Sequence, residues 1–595
     1  MKSKFKQLII LALILFTSFF SYAQSFVEKQ LPVPSKLSSF FIGPLIKSTI
    51  HYGERPSNYN GEVLLFNHGY IDLNQLFFTN NTFYQDAYNE GYQVVFVATT
   101  RGEGLWENGK LLAESIDIIT NKYQVNDLTV IAHSNGGKAA EAAMFSYNKR
   151  NKVKKVIALG TPYWGTYLAD VSQQWWFNWI WKNTGLNEGA LTSTTYYCRD
   201  VVRPLFDNAS NNQPEKFIIL GASGFKSGHT ILAPLMFTSG GVLFLAQGTN
   251  DGVTPYSSSL RPGATYLFRK GEAKLDHIDV ALGQYVWRTI KPYLNSSNRN
   301  KTIYNTSEFD YHTITSDYQI INSENTYDKI IYPKNSKQVV VDIFHEKPSH
   351  DFKLYGNLKE LSPNYKTKNN NKIENYSSSY QMKNVEQLTA NSKFAAFVHF
   401  SDGPKMKYIT QQKDHNIIVK FDQLNIPIEE INVDAIITRT SDLNGKIVNG
   451  DSFVYPLTLN GNEFQLDTSN FEEGTYSVHV SGKHKEFTRS IISGFVKGRL
   501  SAESLEEEIT NKNNFNINLK SNTIIDHIEL ISSQKENQSI NVSIYNLNGQ
   551  LQIMKQFKPN EDYIIKDNVS TLSQGLYILT VEKNNLKKSF KILKK

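Results

Sequence analysis

From about Phe40 to Leu294, short runs of β-branched and aromatic residues alternate with longer amphipathic stretches, the pattern of helices packed on a mostly parallel sheet. Val63-Leu64-Leu65-Phe66, Val94-Val95-Phe96-Val97, Leu128-Thr129-Val130-Ile131, Val156-Ile157-Ala158-Leu159 and Phe217-Ile218-Ile219-Leu220 are the expected strands. Leu111 through Tyr123 has helical spacing and completes a βαβ unit between the second and third of them. Further helical stretches are expected from Ala139 to Met144 and from Val280 to Ile290. Beyond Pro292 that periodicity stops, and Asn, Ser, Lys, Thr and Tyr dominate. From about Ile417 to Val496, alternating segments around Val433–Thr440, Phe453–Leu459 and Thr475–Val480, separated by Asn-Gly and Glu-Gly turn signals, predict a small antiparallel β-domain, a sandwich in form.

These shifts divide the chain into a leader at 1–23, an α/β domain at 24–300, a β-rich or linker region without clear boundaries at 301–410, and a β-sandwich-like domain at 411–500. A linker at 501–521, charged from Glu503 to Glu508, leads into a strand-rich segment at 522–595. The length, 595 residues, exceeds what one hydrophobic core organises.

The leader places Lys2, Lys4 and Lys6 ahead of an apolar run from Leu8 to Phe20 and ends in Ser21-Tyr22-Ala23, the features of a cleaved export signal. The run is shorter than the ~20 residues that span a bilayer, so the mature chain is expected to have no transmembrane helix. Removing three lysines lowers the net charge from +7 to +4, too mild a basicity to suggest nucleic acid as a partner. Cys198, the single cysteine, has no internal disulfide partner and reads as a small buried residue.

The segment with the most chemical content is Leu128-Thr129-Val130-Ile131-Ala132-His133-Ser134-Asn135-Gly136-Gly137, an apolar strand, a small-residue turn and the start of an Ala-rich helix. This is a nucleophile elbow: a sharp turn lifts the Ser134 hydroxyl clear of the strand end, and Ala132 and Gly136 are small enough to allow it. A serine hydroxyl is a weak nucleophile at neutral pH, so it needs a histidine base, itself oriented by a carboxylate. Downstream, Asn250-Asp251-Gly252 places Asp251 in a glycine-flanked loop, where it is either the acid or a turn-forming residue, and the acid is favoured. His277, in Lys274-Leu275-Asp276-His277-Ile278-Asp279, is the one histidine after Asp251 that stays within the α/β domain, which selects it as the base.

Taken together, Phe66-Asn67-His68-Gly69, Arg101-Gly102-Glu103-Gly104, the Ser134 elbow, Leu159-Gly160-Thr161-Pro162-Tyr163-Trp164-Gly165, Asn250-Asp251-Gly252-Val253 and Asp276-His277-Ile278-Asp279 resemble bacterial lipases and esterases of the α/β-hydrolase superfamily. The resemblance spans about residues 61 to 290 and implies an α/β-hydrolase fold, a mostly parallel sheet with helices on both faces, followed by all-β accessory domains. It also implies cleavage of carboxylic esters, with the backbone N–H groups of Tyr70 and Asn135 as oxyanion donors. Several such lipases carry a structural calcium ion near the histidine loop. Asp279 matches one ligand position, but no carboxylate upstream of Asp251 completes the set, so no cofactor is expected.

Trp175-Trp176-Phe177-Asn178-Trp179-Ile180-Trp181 carries four of the seven tryptophans. Trp175, Trp176, Trp179 and Trp181 are candidates for an acyl pocket in a cap element, or else belong to a helix with its aromatic side chains buried; periodicity does not decide between these.

The last segment, through Val542-Ser543-Ile544-Tyr545-Asn546-Leu547-Asn548-Gly549-Gln550, Leu572-Ser573-Gln574-Gly575-Leu576-Tyr577-Ile578-Leu579 and the terminal Lys588 to Lys595, resembles the C-terminal sorting domain of proteins exported by type IX secretion. The Asn-Pro pair usual at its start is replaced by Ser521-Asn522-Thr523. The resemblance implies a secreted or surface-held enzyme, exported through the periplasm, whose partners are a lipid or ester substrate and the outer-membrane secretion machinery. A lipase is the preferred reading and a short-chain carboxylesterase or polymer esterase the alternative. A reading of another class is a surface binding or adhesion protein built on a hydrolase-like scaffold.

Overall fold

The structure, a computed structural model, describes residues 26–34, 48–69, 81–100, 102–177, 187–295, 310–323, 339–345, 352–356, 359–362, 365–368, 376–382, 387–390, 392–400, 402–411, 416–500, 517–532, 539–547, 550–557, 564–583 and 586–595. The expected leader, Tyr70, Trp179 and Trp181 lie outside them. The chain forms two compact units, 1–500 and 501–595.

The first unit is built on an eight-stranded sheet, in which β1 is Val27–Gln30, β2 Thr49–Tyr52, β3 Val63–Asn67, β4 Gln93–Ala98, β5 Leu128–His133, β6 Val153–Leu159, β7 Phe217–Leu220 and β8 Thr265–Tyr266. Their order is β1-β2-β4-β3-β5-β6-β7-β8, with every neighbouring pair parallel except β2 with β4. All five strands expected from the sequence are present, and β3, β4 and β5 are buried along their whole length. Burial of a parallel sheet on both faces is why those segments read as unbroken apolar runs.

The helices differ from expectation at their ends. The helix expected from Leu111 begins at Leu105, where Gly104 turns the chain and the Leu105 N–H donates to Thr192 Oγ1 at 3.1 Å. The last helix, Gly283–Asn295, continues through Pro292. Ala233–Gln247 is a helix that the sequence reading left unassigned: it holds no charged residue, so amphipathic spacing gave no signal.

The described residues between 310 and 497 belong to the same unit and fold as antiparallel sheets. One of them has the order Ser452–Pro456, Asn432–Ser441, Gly474–His484, Phe487–Lys497. Its last strand packs against the helices Tyr167–Ser172 and Thr195–Tyr197. Ile492 joins Tyr167, Val171, Trp176, Phe177, Val242, Tyr318 and Phe397 in one apolar cluster. Polar contacts reinforce it: Tyr197 Oη donates to the Leu443 carbonyl at 2.9 Å, and Trp164 stacks on Tyr311 with ring centroids 3.8 Å apart.

The second unit contains a sheet of the same order, Leu551–Phe557, Ile540–Asn546, Gly575–Lys583, Leu586–Lys594, extended by the short strand Thr523–Ile524. The correspondence reaches residue level. Leu443-Asn444-Gly445 and Leu547-Asn548-Gly549 follow the strands Asn432–Ser441 and Ile540–Asn546. Gly474-Thr475-Tyr476 and Gly575-Leu576-Tyr577 open the third strand of each sheet, with both glycines at positive φ (148° and 155°). Each tyrosine hydroxyl donates to the carbonyl four residues earlier, Glu472 or Ser573, at 2.9 Å. Among the described residues, no helix is long and apolar enough to cross a membrane.

A buried charge cluster ties the first unit together behind the sheet. Glu141, on the helix Gly136–Phe145, accepts from Arg203 and, at 2.8 Å, from Arg261 Nε; Arg203 also meets Asp207 at 3.1 Å. Burial alone would raise the Glu141 carboxyl, but the two guanidinium groups hold it below the usual carboxylate range. Glu141→Gln keeps the volume and leaves two buried cations short of a counter-charge. A stability loss of about 3–5 kcal/mol is expected in urea unfolding, and a loss under about 1 kcal/mol would remove the cluster from the list of structural anchors.

Candidate active site

β5 ends in a turn that holds Ser134 at φ 55°, the left-handed region in which a side chain is strained. The turn is fixed by Ser134 N–H donating to Leu159 O at 2.9 Å and Gly137 N–H to Ser134 O at 3.1 Å. Neighbouring loops close in so tightly that three glycines are required. A Cβ on Gly69 would lie 2.4 Å from Ser134 Cβ, one on Gly136 2.6 Å from His68 O, and one on Gly137 2.2 Å from Thr161 Oγ1. Ala132 is fully buried beneath them.

Two other strand ends bring the partners. The uncharged helix after β7 leads to the Asp251 loop, and His277 follows β8. His277 Nε2 lies 3.0 Å from Ser134 Oγ, and His277 Nδ1 lies 2.9 Å from Asp251 Oδ2. Asp251 Oδ1 accepts the N–H groups of Val253 (2.9 Å) and Thr254 (2.6 Å), which aims its other oxygen at the imidazole. The His277 N–H donates to Asp251 O at 2.8 Å, so acid and base are also joined through the main chain. Gly160, at φ 58°, leaves room for the pair: a Cβ there would come within 3.0 Å of Asp251 Oδ2. Ser134, Asp251 and His277 are all buried. A hydroxyl, a neutral imidazole and a carboxylate in this order can transfer the serine proton to His277 while Asp251 holds the tautomer.

His133 and Asp276 also belong here, and the sequence reading assigned neither. Burial, then the neighbouring His277, push the His133 pKa well down, so its neutral ring donates from Nε2 to the His277 carbonyl at 2.8 Å. Asp276 Oδ1 accepts the N–H groups of Ile278 (2.9 Å) and Asp279 (2.8 Å), closing the loop that carries His277. Their signal in the sequence was adjacency alone: each immediately precedes a site residue.

Of the remaining candidates, Asn135 starts the helix Gly136–Phe145, with its side chain accepting from Ser193 Oγ at 3.1 Å. Asn135 lines, with His68, Gly69, Thr99, Thr100 and Lys138, a cavity of about 10 Å³, room for a single water. Trp175 is exposed, whereas Trp176 is buried against Phe177 and His479 at the junction with the β-sheets. Asp279 accepts from His229 Nδ1 at 2.8 Å, and among the described residues no group of three metal-ligating side chains is gathered.

Residues 420–494 and 510–595 match the family profile of the secretion system C-terminal sorting domain. Among curated proteins, none matches the sequence. Among solved structures, the chain is similar to a Bacillus licheniformis lipase in its propeptide form, with 20% identity and a TM-score of 0.54 over 75% of this chain and 99% of that one. The mature form of the same lipase aligns with 25% identity and a TM-score of 0.36 over 41% of this chain and 97% of that one. A metagenomic carboxyl esterase aligns with 16% identity and a TM-score of 0.30 over 39% and 75%. The first likeness shows the fold, that of an α/β-hydrolase, and at 75% of the chain it extends past Asn295 into the antiparallel sheets. The sorting-domain match places the chain among secreted or cell-surface proteins.

Burial, with Asp279 nearby, raises the Asp276 carboxyl from 3.8 to about 6. The folded chain therefore keeps a proton that the unfolded chain releases, and stability falls as the pH rises from about 4 to about 6. Asp276→Asn retains the Oδ1 acceptor and cannot ionise. Its stability relative to wild type is expected to improve through that window, by about 3 kcal/mol above it, in unfolding curves taken at successive pH values. Parallel pH profiles would mean that Asp276 ionises normally.

Proposed function

We propose that this chain is an exported serine hydrolase of carboxylic esters, most specifically a lipase acting on acylglycerols or related lipid esters. The observation that carries the reading is the Ser134–His277–Asp251 chain, two hydrogen bonds of 3.0 and 2.9 Å around a serine at positive φ. Lipase is preferred to other esterases on the motif resemblance over residues 61 to 290, in line with the name of the lipase whose fold this chain shares.

In this reading Ser134 Oγ attacks the ester carbonyl carbon as its proton passes to His277 Nε2. The carbonyl oxygen becomes an oxyanion, held by the backbone N–H groups of Asn135 and Tyr70. The intermediate collapses, His277 protonates the departing alcohol, and an acyl group remains on Ser134. Water, deprotonated by His277, then attacks the acyl carbon, and the acid leaves as Ser134 regains its proton. No step uses a metal. Export begins with the leader at 1–23, and the sorting domain then directs passage across the outer membrane through the periplasm.

A fluorophosphonate, which reacts only with an activated serine, is expected to label Ser134 as located by peptide mass spectrometry. Ser134→Ala and His277→Ala should lose about 10⁴-fold or more in kcat on p-nitrophenyl esters with melting temperatures unchanged, and Asp251→Asn somewhat less. A folded wild-type protein that stays unlabelled would end the hydrolase reading. Rates from acetyl to palmitoyl esters, with emulsified triglyceride alongside, test the finer claim: exclusive cleavage of the shortest esters would replace lipase by carboxylesterase.

A further inference from the structure

The sheets ending at Lys497 and Lys594 are two copies of one module, and in each the corresponding face can be read off the strand register. Gly474 pairs with Lys497 and Gly575 with Lys594, so Thr475, Ser477, Gly494 and Val496 correspond to Leu576, Ile578, Lys591 and Leu593. The match of the same sorting-domain profile to residues 420–494 and to 510–595 supports that correspondence independently.

In the internal copy this face is an interface. Thr475, Ser477 and Val496 are buried, and Gly494 is pressed so closely to the hydrolase helices that a Cβ there would lie 2.6 Å from the Tyr196 ring. Arg199 donates to the Gly494 carbonyl at 3.3 Å, and Tyr197 to the Leu443 carbonyl in the Leu-Asn-Gly turn at 2.9 Å. The partner surface is thus helical, aromatic and rich in donors.

In the terminal copy the same face is open and more apolar. Leu576 and Leu593 are each 39% exposed, and Leu551 (49%) and Met554 (64%) lie on the same face of the strand Leu551–Phe557, two strands from Leu576, opposite Tyr545 and Ser543. Leu547, which ends the described part of the strand-to-strand connection in the terminal copy, is 64% exposed. A contiguous apolar sheet face of this kind marks a protein-binding surface. Lys591, at the position of Gly494, puts a long side chain where the internal copy accepts the Tyr196 ring, so this face is not made for the hydrolase helices.

We propose that the face formed by Leu576, Leu593, Leu551 and Met554 is the surface by which the terminal sorting domain docks on the secretion machinery. The partner it fits is a helical protein surface with apolar or aromatic side chains over the leucines and a carboxylate for Lys591. The inference rests on the export reading of residues 510–595 and adds to it the face that is recognised.

The test follows the full-length protein in cells that carry the secretion machinery, measuring ester hydrolysis in medium and periplasm. The paired change Leu576→Glu with Leu593→Glu is expected to lower the fraction in the medium roughly tenfold or more, leaving periplasmic enzyme with wild-type specific activity and melting temperature. Leu576→Met with Leu593→Met should restore secretion, which covers the case in which the glutamates unfold the module. Ile531→Glu, on the outer side of the other sheet of that unit and 37% exposed, should secrete normally. Normal secretion of the Leu→Glu pair, or equal loss with Ile531→Glu, would overturn the docking face. So would a wild-type dimer that the glutamates dissociate, or a hydrolase melting temperature that they lower, since these assign the face to a second copy or to the chain's own first unit. Normal secretion of a chain lacking residues 501–595 would instead remove the export reading.

Discussion

The site depends on a backbone conformation that is unfavourable in isolation. Ser134 at φ 55° lifts its hydroxyl toward His277, and a strain of order 1–3 kcal/mol persists only because the surroundings leave no alternative. Those surroundings are close contacts more than strong bonds: the loops after β3 and β6 meet the turn through Gly69, Gly136 and Gly137, each without space for a single carbon more. Fully buried parallel strands supply the rigidity beneath. Asp251 and His277 arrive from separate strand ends, and hydrogen bonds within and between their own loops hold them in place.

Most of this was legible in the sequence because close packing constrains residue type. Strands buried on both faces must be continuously apolar, and all five expected strands are present. A serine in a sharp turn needs small neighbours, and Ala132 and Gly136 declared it. Less visible were features whose residues carry no pattern of their own. The helix Ala233–Gln247 has no polar face to mark its period, and Leu105 joins its helix through a contact with Thr192, far along the chain. His133 and Asp276 owe their roles to partners that only the fold brings close. The tryptophan segment was undecidable because its exposure depends on sheets hundreds of residues later, and Trp176 is buried against one of them.

The repeated module was missed for another reason. Its two copies share a strand order, a Leu-Asn-Gly sequence and a Gly-x-Tyr corner, but few other residues, because one copy lies against helices and the other meets solvent. Surface residues diverge with what they touch, while turns and corners are set by backbone geometry. At one register position, Gly494 is found where the face lies against helices and Lys591 where it meets solvent.

The apolar cluster that joins Tyr167, Val171 and Trp176 to Phe397 and Ile492 also sets an order of events. A chain is made from its N-terminus, so every strand of the eight-stranded sheet emerges well before residue 492. Until then those aromatic side chains have nothing to pack against, and the sheet is complete while its outer helices are not. The fully packed first unit is therefore a late product of the chain's own synthesis. A fragment ending near Asn295 would expose the hydrophobic surface that Phe397 and Ile492 cover in the full chain, however well its sheet had formed.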